Sequence, residues 1–412
     1  MSNKAFSRVI ELEGHLLSAG IMNNFLEQIS EGGGTFEILR FEAGKLKDDI
    51  SFATVRVFAK TSLDLSEIIT GLIGRGARFP KGEEVDAHLA LVEKDGVAPD
   101  SFYSTTIFRT EIRVEGKWIP VTSQRMDVSI RVDPASGTAS CCLMRNLKAG
   151  DRIVAGVEGI RTFPPEKTKE AGDEFAFMAS SVSSERRVEL VVEELAQDLL
   201  RIKASGGKAV VVPGPVVVHT GAAPHLAALI REGYIHGLLG GNAIAAHDIE
   251  LSLFGTSLGV NMDKGQPVHE GHKHHLKAIN MVRGYGSIQK AVEAGAIPSG
   301  VMYECVKKQV PFVLAGSIRD DGPLPDTRMD LLQAQAEYSD ALIGAELVLM
   351  LSTMLHSIGV GNMTPSGVKM VCVDINPAVV TKLADRGSLE SVGIVTDVGL
   401  FLRLLANRLG LA

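Results

Sequence analysis

From Val188 onward the chain alternates apolar runs of strand length with segments of helical spacing. Helices are expected at Val188–Ile202, Ala223–Glu232, Ile244–Leu253, Ser287–Ala294, Met329–Ile343, Pro377–Ala384 and Val398–Leu409. Strand runs fall between them at Ala209–Val218 (broken by Pro213-Gly214-Pro215), Ile235–Leu239, Phe312–Leu314, Leu347–Leu351, Met370–Asp374 and Gly393–Val395. Strands interleaved with helices form a mostly parallel sheet covered on both faces, which is the α/β class. An open sheet of this kind holds ligands outside the carboxyl ends of its strands, so the residues just after each run carry the functional argument.

The preceding chain has a different rhythm. Phe6–Leu12, Phe36–Phe41 and Phe52–Phe58 read as strands, and Ile21–Ile29 and Leu65–Ile73 as helices, giving a small α+β module of ferredoxin-like pattern over residues 1–82. Gly32-Gly33-Gly34 precedes a strand, whereas a dinucleotide fingerprint follows one, so it reads as a loop. Residues 83–184 are β-rich, with strands at Ile112–Val114, Trp118–Val121 (a hairpin at Gly116), Val128–Val132, Ala139–Met144 and Asp151–Val154, then a linker over Thr162–Gly172. Residues 185–412 form the α/β domain.

Of 412 residues, 45% are hydrophobic and 22% charged, and 42 basic against 49 acidic residues leave a net charge of −7. That balance argues against a nucleic-acid surface. Cys141, Cys142, Cys305 and Cys372 form no CxxC pair, and the longest apolar runs are too short for a bilayer, so a cytoplasmic protein without membrane attachment is expected.

Several strand ends are polar. Val310–Ala315 releases Arg319, Asp320 and Asp321 into a loop braked by Pro323 and Pro325, which reads as a ligand site or a solvated turn. Met370–Asp374 ends in a carboxylate followed by Asn376 and Pro377, which suits an adenosine ribose or simply caps the next helix. Thr353 to Asn362 reads as a glycine-rich turn in which Gly359 and Gly361 would admit a pyrophosphate. Gly240-Gly241-Asn242-Ala243 and Thr396-Asp397 occupy equivalent positions. In the segment His269–His275, His272 and His275 supply only two ligands, so no metal is expected. Arg125 and Asp127 could bind an amino acid's carboxylate and ammonium or form an internal salt bridge.

The segments FYSTT (Phe102–Thr106), VTSQRMD (Val121–Asp127), HTGAAPHLAALI (His219–Ile230), GGNAIAAHDIE (Gly240–Glu250), GHKHHLKAIN (Gly271–Asn280), VLAGSIRDDGPLPDT (Val313–Thr327) and CVDINPAVV (Cys372–Val380) carry a resemblance over nearly the whole chain. The chain resembles the family of the lysine-oxoglutarate reductase/saccharopine dehydrogenase conserved region, with archaeal-type ornithine cyclodeaminase and the carboxy-terminal part of cyanobacterial arginine dihydrolase/ornithine cyclodeaminase. The resemblance implies a Rossmann-like, deoxyhypusine-synthase-like sheet that binds NAD through Asn242, Ala243, Asp321, Thr353, Met354, Leu355, His356, Gly361, Asn362, Asp374, Ile375, Asn376, Pro377 and Asp397. It implies NAD-dependent conversion of L-ornithine to L-proline and ammonia in a homo-oligomer. Arginine dihydrolase activity is not expected, because the amidinotransferase-like domain is lacking. Asp320 or Asp321 would hold the cationic end of ornithine, Arg125 its carboxylate, and His219, His272 or Lys273 would move protons. The rival readings are another NAD-linked amino-acid or polyamine enzyme and a nucleotide-binding amino-acid sensor.

Overall fold

A computed structural model describes residues 6–14, 16, 21–44, 49–82, 84–164, 184–262, 266, 271–320, 322–384 and 391–411. The chain divides into two compact units, Met1–Met178 and Ala179–Ala412.

The first unit opens with β1 (Phe6–Gly14), α1 (Ile21–Glu31), β2 (Thr35–Glu42), β3 (Ser51–Ala59) and α2 (Ser62–Gly74). β3 is the central strand of an antiparallel sheet of order β1-β3-β2. Its period of two buries Ala53, Val55, Val57 and Ala59, which share a core with Phe25 and Ile29 of α1 and Ile69 and Leu72 of α2. The Thr61 hydroxyl accepts from the Asp64 amide and caps α2. After α2, Arg78 bridges Glu11 antiparallel, where a ferredoxin-like fourth strand would flank β1.

A second sheet holds β4 (His88–Leu91), β5 (Arg109–Val114), β6 (Lys117–Thr122), β7 (Ser129–Asp133), β8 (Thr138–Cys142), β9 (Arg152–Ala155) and β10 (Ile160–Phe163), in the order β10-β5-β6-β8-β7-β9-β4. The expected hairpin joins β5 to β6 through Glu115 and Gly116, both at positive φ as a two-residue turn with the strand twist requires. Two strands of four residues, β4 and β10, were too short to read. Thr162 and Phe163 belong to β10 rather than to a linker: Thr162 is buried and donates to the Ile73 carbonyl at 2.6 Å. Residues 165–172 of the expected linker lie outside the described residues.

The second unit contains α3 (Ser184–Ser205), β11 (Lys208–Pro213), α4 (Val216–His219), α5 (Ala223–Arg231), β12 (Gly237–Gly241), α6 (Asn242–Phe254), a short ribbon of β13 (Thr256–Ser257) and β14 (Val260–Asn261), α7 (His274–Tyr285), α8 (Ile288–Glu293), α9 (Val301–Lys307), β15 (Phe312–Ala315), β16 (Thr327–Arg328), α10 (Leu331–Ala341), β17 (Ala345–Leu351), α11 (Met354–Met363), β18 (Lys369–Asp374), α12 (Pro377–Ala384), β19 (Ser391–Val395) and α13 (Val398–Arg408). Seven of these strands form a wholly parallel, Rossmann-like sheet of order β16-β15-β12-β11-β17-β18-β19. Alternate residues of β11, β17 and β18 face two separate cores: Val211, Leu349 and Val371 on one side, Val210, Val348 and Met370 on the other. Burial on both faces explains why these strands read as unbroken apolar runs.

Three sequence expectations needed correction. The run Ala209–Val218 stops at Pro213 and Val216–His219 turns helical, because Pro215 has no amide to continue a ladder. Thr353 to Asn362 is not a turn; Met354–Met363 is helix α11, and the open side of Gly361 packs toward Leu383 of α12, where a Cβ would stand 2.9 Å away. Helix α9 was not anticipated within the segment beginning at Val301. Its first amides, Val301 and Met302, donate to the buried Asp248 carboxylate at 2.9 and 2.8 Å.

Burial pushes the Asp248 carboxyl up to about 6, against the two amide hydrogen bonds. The folded state therefore binds this proton more tightly than the unfolded chain. Its contribution to stability is greatest at low pH and declines as pH rises from about 4 to about 6, by ~3 kcal/mol. Urea denaturation across that range is expected to show, in Asp248→Asn, a stability that falls less or rises more with pH than in the wild type; an unchanged slope would assign the effect to other groups.

Candidate active site

The strand order reverses at β11. From it the chain proceeds through β12, β15 and β16 to one edge, and through β17, β18 and β19 to the other. The switch point lies between the carboxyl ends of β11 and β17, where parallel sheets open a crevice for ligands. Gly214, just past β11, donates its amide to the Leu351 carbonyl at 2.8 Å. A Cβ on Gly214 would stand 2.2 Å from the Ser352 carbonyl oxygen, so only glycine lets the strands meet this closely. Ser352 itself sits at φ 51, a conformation that side chains avoid and that often marks a site.

Around this point the strand ends converge. After β17, Thr353 precedes α11, and its hydroxyl pairs with His356 Nδ1 at 2.8 Å. The His356 ring lies against Gly241 at the end of β12, where a Cβ would meet its Cε1 at 3.0 Å. Burial lowers the basicity of His356, and the Asp320 carboxylate opposes that effect. Asn242, at the start of α6, is 7% exposed and joins β12 to the loop after β15. Its Nδ2 donates to Asp320 at 3.1 Å, while its Oδ1 accepts from the Leu324 amide at 3.0 Å and the Thr327 hydroxyl at 3.1 Å.

That loop is held largely by its own conspicuous residues. Asp320 also accepts from the Ser317 amide at 2.7 Å, Asp326 accepts from the Ile288 amide at 2.8 Å, and Arg283 donates to the Pro323 carbonyl at 3.0 Å. Asp321 lies outside the described residues. After β18, the buried Asp374 accepts from the Asn376 amide at 2.8 Å, and Asn376 accepts from Ala378 at 3.0 Å. Asp397 likewise caps α13 through the Leu400 amide. Met354, Leu355 and Ile375 are exposed near these strand ends and offer an apolar rim. Ala243, Gly361 and Asn362 are half-buried, and Pro377 is exposed at the start of α12.

A second polar group begins one and a half turns into α6. His247 Nδ1 lies 2.9 Å from Glu250, which is wholly buried and also accepts from Thr256 Oγ1 and the Gly259 amide at 3.0 Å. His219, on α4, stands edge-on to His247 at 4.9 Å between ring centres and pairs with the Ser257 hydroxyl at 2.6 Å. Thr256 also meets His274 Nδ1 at 2.8 Å. Burial favours a raised Glu250 carboxyl, but the hydrogen bonds from His247, Gly259 and Thr256 hold it below the usual range. Burial and then the neighbouring His247 make His219 less basic, against the pull of Glu250. An ionised Glu250 only accepts, so His247 carries its proton on Nδ1 and keeps Nε2 as the basic nitrogen.

The sequence reading found His219 and missed His247 and Glu250. Their spacing of three within HDIE, on the helix that begins at Asn242, is the signal that could have revealed them. Lys273 is exposed and precedes α7. Among the described residues no group of three or more His, Cys, Asp or Glu could hold a metal.

Arg125 lies in the first unit, between β6 and β7. No ion pair to it forms among the described residues, so the internal salt bridge weighed for it is not found; its Nε is buried without a hydrogen-bond partner, as are Tyr103 Oη and Gln124 Oε1. Burial, then the nearby Arg145, lowers the basicity of its guanidinium.

Comparison with known proteins covers nearly all of the chain. Residues 7–108 match the LOR/SDH bifunctional enzyme conserved region, residues 109–192 the first region of the arginine dihydrolase ArgZ-like C-terminal part, and residues 193–405 its Rossmann fold. The bifunctional arginine dihydrolase/ornithine cyclodeaminase ArgZ of Synechocystis sp. is 59% identical over 408 residues, covering 98% of this chain and 58% of that protein. The ornithine cyclodeaminase of Methanocaldococcus jannaschii is 49% identical over 409 residues, covering 98% and 96%. The crystal structure of AgrE in a ternary complex with ornithine and NAD+ is similar at 57% identity and a TM-score of 0.54, covering 98% of this chain and 58% of that one. The chain thus spans little more than half the length of its cyanobacterial relatives.

Asn242 is the member of the crevice with the most to lose by truncation. Asn242→Ala would strand the Leu324 amide, the Thr327 hydroxyl and one oxygen of Asp320, at a cost of about 2–4 kcal/mol. The expected result is a lower urea midpoint with faster hydrogen exchange at the Leu324 amide. Wild-type protection at that amide would show that the loop is held by other contacts.

Proposed function

The chain belongs to the ArgZ-like family that includes the archaeal ornithine cyclodeaminases, and from that premise we propose that it is an NAD-dependent ornithine cyclodeaminase, converting L-ornithine to L-proline and ammonia. The observation that carries the proposal is the pairing of a switch-point crevice with a carboxylate-held histidine on one helix, α6. Asn242 opens that helix and His247 follows about 7–8 Å along it.

The crevice suits a dinucleotide: a close glycine approach at Gly214, a free helix start at Thr353, and a carboxylate at the end of β18. Asn242, Ala243, Thr353–His356, Gly361, Asn362, Asp374–Pro377 and Asp397 would hold it, with Asp321 in the same loop as Asp320. NAD would supply a hydride acceptor at the substrate α-carbon and a donor to the later cyclic imine, leaving no net oxidation. The chain's own residues must then orient the amino acid, exclude water and move protons. His247, oriented by Glu250, would take a proton from the δ-ammonium so that the neutral amine can attack the oxidised α-carbon and release ammonia. His219 would assist that transfer. Asp320 would steady the loop and attract the substrate cation. Lys273 lies on the same histidine-rich segment as a further proton-transfer candidate.

Among the described residues no helix is long and apolar enough to cross a membrane. The four free cysteines support a cytoplasmic assignment.

Incubation with NAD and L-ornithine deuterated at the α-carbon tests the reaction directly. Mass spectrometry is expected to find proline that keeps the deuterium in ordinary water, one ammonia per proline, and no accumulated NADH. A keto acid with stoichiometric NADH would favour another amino-acid oxidoreductase. Tight NAD binding without turnover of ornithine or lysine would favour a sensor.

Replacing His247 by Gln preserves much of its bulk while removing the basic nitrogen. It is expected to lower kcat by about 100-fold, the scale of a lost general base, with NAD affinity nearly unchanged by calorimetry. Wild-type kcat would exclude His247 from proton transfer.

A further inference from the structure

β2 is the outer strand of the first small sheet, and all eight of its residues are exposed. Its sequence, Thr-Phe-Glu-Ile-Leu-Arg-Phe-Glu, contains neither lysine nor proline, and its charges are Glu37, Arg40 and Glu42. Phe36, Ile38, Leu39 and Phe41 are 38%, 44%, 41% and 39% exposed, a run of large apolar side chains along an open edge. The pairing with β3 sorts the strand into two faces. Phe36, Ile38 and Phe41 align with Val57, Val55 and Ala53 of the buried face, whereas Thr35, Glu37, Arg40 and Glu42 align with Phe58, Arg56, Thr54 and Phe52 of the open face. The register shifts between Ile38 and Arg40, leaving Leu39 as an extra residue.

This bulge has a geometric consequence. Residues opposed in an antiparallel pair project from the same face, and a regular strand changes face at every residue. A regular strand therefore cannot pair with a copy of itself about a two-fold axis lying between two successive residues. The extra Leu39 removes that prohibition. With the axis between Ile38 and Leu39, Phe36 meets Phe41 of the second copy on the helix-covered face. Glu37 meets Arg40 of the second copy on the open face, and the two-fold repeats both contacts. The strand is thus complementary to itself in face, hydrophobicity and charge.

We propose that β2 is a self-association strand: two copies of the chain pair their β2 edges antiparallel about this axis, joining two three-stranded sheets into one of six strands. The interface is isologous, as a two-fold requires, and it closes the exposed edge. Its ion pairs replace the exposed in-chain pairs of Glu37 with Arg56 and Arg40 with Glu42, which contribute little to folding.

Sedimentation of the full chain over a concentration series tests the proposal by charge exchange. The wild type is expected to self-associate. Arg40→Glu opposes like charges twice across the axis and is expected to raise the dissociation constant at this interface by roughly tenfold or more, while circular dichroism stays unchanged. Glu37→Arg combined with Arg40→Glu restores opposite charges and is expected to recover most of the affinity. A wild type that sediments as one chain at every concentration would overturn the proposal. So would an R40E variant that associates like the wild type, or a double exchange no better than R40E.

Discussion

The contact between Gly214 and the Ser352 carbonyl sets the geometry on which the second unit depends. β11 is where the strand order turns back, so its carboxyl end and that of β17 diverge into different connections. Diverging connections leave a crevice, but one of useful shape only if the strands remain paired to their last residue. The Gly214 amide secures that pairing by donating to Leu351, and the missing side chain lets the carbonyl of Ser352 come close. Gly241 repeats the device one strand away, giving its side-chain volume to the His356 ring. Two bare glycines thus bring Thr353, His356, Asp320 and Asn242 within one polar neighbourhood.

Within that neighbourhood, polar residues divide their work between holding the site and serving it. Asn242 directs three side-chain hydrogen bonds to the loop after β15, and Asp320 accepts from Asn242 and Ser317. Ile288 of α8 and Arg283 of α7 pin the same loop, through Asp326 and the Pro323 carbonyl. A charged loop at a strand end can therefore be mostly scaffold, its carboxylates accepting the backbone amides of Ser317 and Ile288. Asp374, Asn376 and Asp397 show the same economy, because capping and ligand binding draw on the same exposed helix amides.

What could be read from the sequence follows from how local each determinant is. The strands of the parallel sheet were legible because burial on both faces writes itself as an unbroken apolar run, as in KAVVVP, ELVLML and KMVCVD. The Glu115-Gly116 hairpin was legible because its turn needs particular backbone angles. The four-residue strands β4 and β10 were not, since their pairing is fixed by distant partners rather than by their own pattern. Gly361 misled for a related reason: a glycine kept for close helix packing looks in sequence like one kept for a turn. The strand ends named the crevice residues, whereas the couple of His247 and Glu250 needed the ribbon of Thr256–Asn261 folded against α6 before its purpose could be seen.

That couple also has a definite electrical sense. Glu250 is wholly buried, yet its carboxyl is held below the ordinary range by hydrogen bonds from His247, Gly259 and Thr256. Its stabilising charge is therefore present above the unfolded value and is lost only as pH falls through the lower folded one. His219, by contrast, is made less basic by burial and by His247. The cluster thus combines a carboxylate held in its charged form, the His247 ring that it orients, and a second imidazole, His219, that resists protonation. A carboxylate in this position stabilises a positive charge formed on the His247 ring when a proton is transferred to it. For the proposed cyclisation this is the required direction, since a δ-ammonium must lose its proton before it can act as a nucleophile.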